Sequence, residues 1–237
     1  MKVYVMITAR CSSGRFPNKV LSMLGGKAMI EQIIAKSKKL KNIDGVVLST
    51  SVLKVDDILQ EIAEANDIAC YRGSNFELAD RHIETWNMFG ITHALTLSGD
   101  SPFFDLEIAQ RIINVMREKP QHWVYGAYTP LGCPVSGHSS TGISRKGIEA
   151  QVKAYKSCSN RDEIQECYAQ AHVIPEGDPR YLRVDCSDIM PPTKTAMKID
   201  IDYPLEMAIM NKVIDYLGYF PEKYEDIEKA FLEIRRL

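Results

Sequence analysis

Apolar residues fall into two spacings along the first half of this chain. Short continuous runs at residues 3–7, 46–50, 69–72, 94–98 and 123–127 predict strands. Between them, apolar positions recur at helical spacing: Ile30, Ile33, Ile34 and Leu40, then Val55, Ile58, Leu59, Ile62 and Ala63. Asp56 and Asp57 open the second set, where carboxylates suit the first turn of a helix. Residues 76–89 and 106–116 repeat the helical spacing. Strands alternating with helices predict an α/β fold, a mostly parallel sheet covered on both faces. Such sheets bind ligands beyond the carboxyl ends of their strands.

The pattern loosens from residue 128 to about residue 192. Pro130, Gly132, Pro134, Gly137, Ser139 and Ser140 predict a long loop, followed by polar helical stretches at 145–156 and 161–171. A loop of that length in a compact domain usually serves a function or a contact. Regular spacing returns in a strand at 197–201 and helices at 204–217 and 224–237. There are no internal repeats. One domain over residues 1–237 is expected, with 128–192 as an insertion for acceptor binding or dimerisation.

Composition narrows the classes. A chain of 237 residues, 45% hydrophobic, is long enough for one substantial core. The balance of 29 basic against 31 acidic residues does not suggest a general nucleic-acid or anionic-membrane surface. No apolar run approaches membrane-spanning length, and the N-terminus enters strand-like sequence without a signal-peptide pattern, so a cytoplasmic location is expected. The six cysteines (Cys11, Cys70, Cys133, Cys158, Cys167, Cys186) lack disulfide-framework or zinc spacing and read as reduced thiols.

The chemistry concentrates after the first strand. Ala9, Arg10, Ser12, Ser13, Gly14, Arg15, Pro17 and Lys19 bring three cations, two hydroxyls, a glycine and a proline into one loop. Arginine forks match phosphate oxygens in pairs, and lysine adds a point charge. Gly14 is expected to let backbone N–H groups turn inward, and Pro17 to stiffen the loop. The loop is neither a Walker loop nor a dinucleotide fingerprint. On spacing alone, a basic surface loop is the alternative.

Carboxylates mark two further strand ends. Gly99-Asp100-Ser101-Pro102 puts an acid on a tight turn, and Asp200-Ile201-Asp202 puts two acids on one face of a predicted strand. Mg²⁺ takes hard oxygen ligands of this kind together with phosphate and water. Asp202, just before Tyr203-Pro204, is equally placed to cap a helix.

The pattern Ala-Arg-x-x-Ser-x-Arg-x-Pro-x-Lys-x-Leu over residues 9–21, followed by Gly26-Lys27-Ala28-Met29-Ile30-Glu31, resembles the N-terminal signature of the cytidylyltransferases that activate sugar acids. That family includes the 3-deoxy-manno-octulosonate, acylneuraminate and spore-coat polysaccharide types. The Gly-Asp-x-Pro and Ile-Asp-x-Asp elements resemble its metal-binding elements. The resemblance implies a Rossmann-like three-layer nucleotide-diphospho-sugar transferase fold, CTP and a sugar-acid acceptor as substrates, and a homodimer. It implies Mg²⁺ on Asp100 and Asp202, with Asp200 as a further ligand, and catalytic roles for Arg15, Lys19 and Asp100. Ala9, Arg10, Ser12, Ser13 and Gly14 would contact the nucleotide. Tyr71-Arg72-Gly73-Ser74 with Asp80-Arg81 resembles a family segment near the nucleotide, which adds Arg72, Ser74 and Arg81; Asp80 and Arg81 equally suit a structural ion pair.

The acceptor motifs of the sialic-acid enzymes are absent after residue 128, and residues 141–145 resemble their product-facing strand only loosely. Two other readings therefore stay open: a nucleotidyltransferase acting on a sugar 1-phosphate or phosphonate, and a non-catalytic nucleotide-binding protein of the same fold. Among the histidines, His93 and His122 read as structural and His138 as an acceptor contact.

Overall fold

The computed structural model describes residues 1–128, 135–136, 140–157, 177–189 and 197–234. The strands are β1 (Val3–Thr8), β2 (Met23–Leu24), β3 (Lys27–Ala28), β4 (Gly45–Ser51), β5 (Ala69–Gly73), β6 (His93–Ser98), β7 (Val124–Tyr128), β8 (Val135–Ser136), β9 (Thr141–Ser144), β10 (Tyr181–Asp185) and β11 (Met197–Lys198). Among the described residues five helices, α1 (Met29–Ser37), α2 (Asp57–Ala65), α3 (Leu78–Phe89), α4 (Leu106–Glu118) and α5 (Arg145–Ser157), precede two C-terminal ones at Pro204–Leu217 and Tyr224–Ile234.

Seven strands pair in the order β10-β7-β9-β6-β1-β4-β5. All pairs are parallel except those of β9, which runs antiparallel to β6 and β7. The period of two along each strand divides two cores. Val3, Val5 and Ile7 of β1 pack with Val46, Leu48, Leu95 and Leu97 against α1, α4 and the C-terminal helices. Met6, Val47 and Ala94 face the other way, onto Trp86 of α3 and Ile148 and Val152 of α5. The expected three-layer α/β fold is what the chain forms.

The departures are local. The strand predicted at 197–201 ends at Lys198, so Asp200 and Asp202 sit on irregular backbone. Ile199 and Ile201 are nevertheless fully buried, which preserves the alternation that turns both carboxylates the other way. The predicted loop from residue 130 to 140 contains β8 and is followed by the reversed strand β9, over residues only loosely resembling a strand in sequence, and β10 was not foreseen. The helical stretch at 161–171 and His138 lie outside the described residues.

The connectivity positions the site. From β1 the chain builds β4 and β5 on one side, then returns to place β6 on the other. The crevice at this reversal lies beyond the carboxyl ends of β1 and β6. Gly99 lets those ends close up, since a Cβ there would stand 2.7 Å from Ala9 Cβ and 3.0 Å from Thr8 O.

Candidate active site

The loop after β1 turns on Cys11, whose carbonyl accepts hydrogen bonds from Ser13 N and Asn18 N, both at 2.9 Å. Asn18 takes the left-handed conformation at φ 56° and starts a 3₁₀ turn, Lys19–Leu21, that carries Lys19 inward. A cleft of about 520 Å³ lies over the reversal point, lined by Ala9, Arg10, Ser13, Gly14, Arg15, Lys19, Asn75, Phe76, Arg81 and Asp100, among others. Gly14 is not forced on the loop by its own geometry. Its φ is outside the left-handed region, and a Cβ would meet no protein atom within 4 Å, so its surroundings are left open to a ligand.

The charged centre is built from both ends of the chain. Lys19 Nζ donates to Asp100 Oδ2 at 3.0 Å and to Asp202 Oδ1 and Ile201 O at 3.1 Å. Arg15 Nη2 donates to the same Asp202 oxygen at 2.8 Å, and its guanidinium lies 5.6 Å from the centre of the Tyr203 ring. Lys198 approaches from the other side, 3.3 Å from Asp202 Oδ2, 3.4 Å from Asp200 Oδ2 and 2.6 Å from Glu206 Oε1. Burial works against the charge of Asp202, but the bonds from Lys19 and Lys198 and the field of Arg15 outweigh it and hold its carboxyl below the usual range. Asp202 in turn raises the pKa of Arg15. Burial opposes the charge of Lys198, and Glu206, Asp200 and Asp202 override it, so its pKa lies above the ordinary lysine value.

Asp202 is free to join this centre because it does not cap the following helix. Tyr203 holds the N-cap position and Pro204 the first turn, where proline's missing N–H costs nothing. Glu206 reaches back instead, accepting from Asp202 N at 2.6 Å and Tyr203 N at 3.0 Å. A bond from Ile201 N to Asp100 O at 2.8 Å ties the two acidic segments together.

Among the described residues no three carboxylate, imidazole or thiol groups form a ready-made metal centre. The donors still fit Mg²⁺, which commonly takes one or two carboxylates and completes its shell with phosphate and water. Asp100 and Asp202 reach a common ammonium, and Asp200 Oδ1 is buried without a hydrogen-bond partner.

The second predicted cluster divides. Arg10 Nη1 donates to Asn75 O at 3.2 Å and Ser12 Oγ to Asn75 Oδ1 at 3.4 Å, which joins the loop after β1 to the loop after β5. Ser74 accepts from Glu77 N through its hydroxyl and from Arg81 Nη1 through its carbonyl. Arg81 is buried and lines the cleft, whereas Asp80 pairs with Lys156 at 2.6 Å rather than with Arg81. Arg72 is not brought to the cleft. Its guanidinium donates to Ser51 O, Leu53 O and Asp57, and it borders a separate shallow groove with Gln60 and Met88.

Several cleft residues carry no pattern in the sequence. Phe76 is 78% exposed at the rim, and Tyr155 comes from α5. His82 is buried under the floor, with Nε2 2.8 Å from Thr8 Oγ1; burial, aided by Arg81, lowers its pKa to about 3, so the ring is neutral. His93 meets Pro120 O at 3.0 Å and His122 meets Lys119 O at 3.3 Å, both structural contacts. Burial and Asp56 push the Cys11 thiol up to about 12, which leaves it without thiolate character.

A sheet reversal carrying a cation-rich loop, faced by paired carboxylates, places the cleft where open α/β folds take their ligands. The chain belongs to the cytidylyltransferase family, whose model matches residues 4–230. It is 28% identical over 134 residues to the spore coat polysaccharide biosynthesis protein SpsF of Bacillus subtilis, covering 55% of this chain and 56% of that protein. Against a 3-deoxy-manno-octulosonate cytidylyltransferase of Alteromonas mediterranea it is 26% identical over 131 residues, covering 55% and 52%. The chain thus spans about half the length of these curated relatives. The structure of a cytidylyltransferase from Leptospira borgpetersenii matches with a TM-score of 0.79 at 19% identity, covering 100% of this chain and 96% of that one, which shows a shared fold.

Proposed function

We propose that this protein transfers CMP from CTP to a hydroxyl of a sugar acid and releases pyrophosphate, in the synthesis of a surface polysaccharide or glycoconjugate precursor. The observation that carries the reading is that Arg15, Lys19 and Asp100 line the cleft at the sheet reversal while Asp202 pairs with both cations. The names of the sugar-acid and spore-coat relatives support the choice of CTP and of the acceptor class.

In this reading the triphosphate lies along the loop from Ala9 to Lys19. The acceptor hydroxyl gives up its proton to solvent water as its oxygen attacks the α-phosphorus in line. The bond to the oxygen bridging the α- and β-phosphorus breaks, and pyrophosphate leaves with that electron pair. Arg15 and Lys19 are already oriented by carboxylates and so oppose the growing negative charge with little reorganisation. Arg10 and Ser13 line the same wall and position the distal phosphates. Mg²⁺ would be held by Asp100 and Asp202, with Asp200 beside them, and would supply Lewis-acid polarisation of the phosphate oxygens. A cytoplasmic homodimer completes the proposal, and light scattering at assay concentration tests its oligomeric part.

The deciding experiment is pyrophosphate release from CTP, UTP, GTP, ATP and dTTP against keto-sugar acids, sugar 1-phosphates and phosphonates. Release with CTP and a keto-sugar acid is the expected result. Release only with a phosphate acceptor would move the protein to the sugar-1-phosphate reading. CTP binding without release across a broad acceptor panel would favour a binding protein.

A further inference from the structure

Asp56 is fully buried, at 0% exposure, and its carboxylate is not used where its position in the chain would use it. It stands at the N-cap of α2, where an aspartate ordinarily accepts from the N–H groups of the first turn. It makes no such bond. Asp105 occupies the corresponding place on α4 and does cap its helix, accepting from Glu107 N at 2.9 Å and Ile108 N at 3.0 Å. Asp56 turns the other way. Its Oδ1 accepts from Cys11 N at 2.7 Å, and its Oδ2 accepts from Ser51 Oγ.

Cys11 is the pivot of the phosphate loop, since its carbonyl gathers both Ser13 N and Asn18 N. The turn bearing Asp56 is itself clamped. Arg72 donates to Ser51 O at 3.1 Å, Leu53 O at 3.0 Å and Asp57 Oδ1 at 2.6 Å. Arg72, the clamped turn, Asp56 and Cys11 therefore form a continuous chain of hydrogen bonds ending at the loop. Bonds from a backbone N–H to a carboxylate are among the stronger ones, and a buried N–H deprived of its acceptor is costly.

We propose that Asp56 is a positioning residue for the phosphate loop: it fixes the Cys11 amide from behind and so sets the presentation of Arg10 to Lys19 toward the polyphosphate. The inference rests on the phosphate-binding reading of that loop. Misplacing reacting groups by about 1 Å can cost roughly a hundredfold in rate, so an anchor behind the loop has leverage without touching substrate.

The test is calorimetric binding of inorganic pyrophosphate, with CTP as a second probe, well below the melting temperature of every variant. Asp56→Asn keeps an oxygen acceptor for Cys11 N and is expected to bind within about threefold of wild type. Asp56→Ala removes it and is expected to bind at least tenfold more weakly. Val152→Ala, in the core on the opposite face, destabilises without touching the loop and is expected to keep wild-type affinity. Wild-type affinity in a folded Asp56→Ala protein would overturn the inference, and so would an equal loss in Val152→Ala. If Asp56→Ala fails to fold, Ser51→Ala removes the second hydrogen bond, and a loss of threefold or more supports the anchor while none overturns it. Failure of the wild-type protein to bind either probe would overturn the phosphate-loop reading itself, and the anchor with it.

Discussion

Lys19 and Asp202 stand 183 positions apart in the chain, and they meet at 3.1 Å above the carboxyl edge of the sheet. The same ammonium holds Asp100 at 3.0 Å, and its side chain is only 9% exposed. Lys19 thus serves as the counter-ion of two carboxylates as well as a candidate phosphate ligand. Its removal leaves Asp202 with Arg15 and Lys198, while Asp100 loses its cation. Lys19→Met is expected to lose about 1–3 kcal/mol of stability, below the usual cost of breaking a fully buried pair because Asp100 is partly solvated. Pyrophosphate release should fall about a hundredfold at temperatures where the variant is fully folded. Melting curves and initial rates measure the two effects separately, and wild-type turnover would remove Lys19 from the proposed chemistry.

Phe76 gives a cleaner separation of binding from folding. Its ring is 78% exposed at the cleft rim, next to the Asn75 that latches onto Arg10 and Ser12. Exposed rings contribute little to folding, so Phe76→Ala should change stability by no more than about 0.5 kcal/mol. Stacking of a base on an aromatic side chain is worth about 1–3 kcal/mol, so CTP affinity should fall roughly tenfold or more. Pyrophosphate, which has no base, should bind unchanged. An equal loss for both ligands would place the ring against the phosphates instead.

Lys198 offsets part of the charge of the acidic cluster. It is 2.6 Å from Glu206 and within 3.4 Å of both Asp200 and Asp202. Lys198→Met keeps most of the stem and removes the charge. If these carboxylates are the divalent site, nucleotide-free Lys198→Met should bind Mn²⁺ about tenfold more tightly than wild type, by relief of charge repulsion at partly buried oxygens. Electron paramagnetic resonance of free Mn²⁺ reads this directly. Unchanged affinity would argue that the divalent ion, if one is used, sits elsewhere.

Much of this site was legible in sequence because its residues lie in contiguous loops at the ends of strands buried on both faces. Continuous apolar runs located β1, β4, β5, β6 and β7 to within a residue or two at each end. What escaped had a physical reason in each case. In β9, Thr141-Gly142-Ile143-Ser144, one large apolar residue in four makes no continuous run, and the glycine adds nothing to it. In the fold it permits close packing, since a Cβ would stand 2.7 Å from Ile112 and 2.8 Å from Met116. Gly25 and Gly26, at φ 57° and 82°, form the two-residue turn of the β2–β3 hairpin, whose strands are too short to show alternation. Arg72 sits in a segment that resembles a nucleotide contact, but nothing in a linear pattern says which way a side chain on an edge strand points. Asp56 and Asp57 looked alike in sequence. One is buried behind the loop that follows β1, and the other takes an exposed pairing with Arg72.

Lys36 of α1 predicts an unusual pH dependence of stability. It is 3% exposed, donates to Pro221 O at 3.2 Å and lies 4.7 Å from the centre of the Phe104 ring. Burial lowers its pKa to about 7 despite the opposing fields of Asp105 and Glu222, and Lys39 adds slightly to the lowering. In the unfolded chain a lysine holds its proton to a pH of about 10.4. Below about pH 7 both states are protonated, and the contribution of Lys36 is flat and least favourable. Between about 7 and 10 the unfolded state binds more protons, so this contribution to stability rises with pH. The total is of the order of a few kcal/mol. Lys36→Met removes the charge while keeping an apolar stem against Phe104. Relative to that variant, wild-type stability in urea titrations should therefore increase steadily from about pH 6.5 to about pH 9.5. A difference between the two proteins that does not vary with pH over this range would mean that Lys36 titrates as an ordinary exposed lysine.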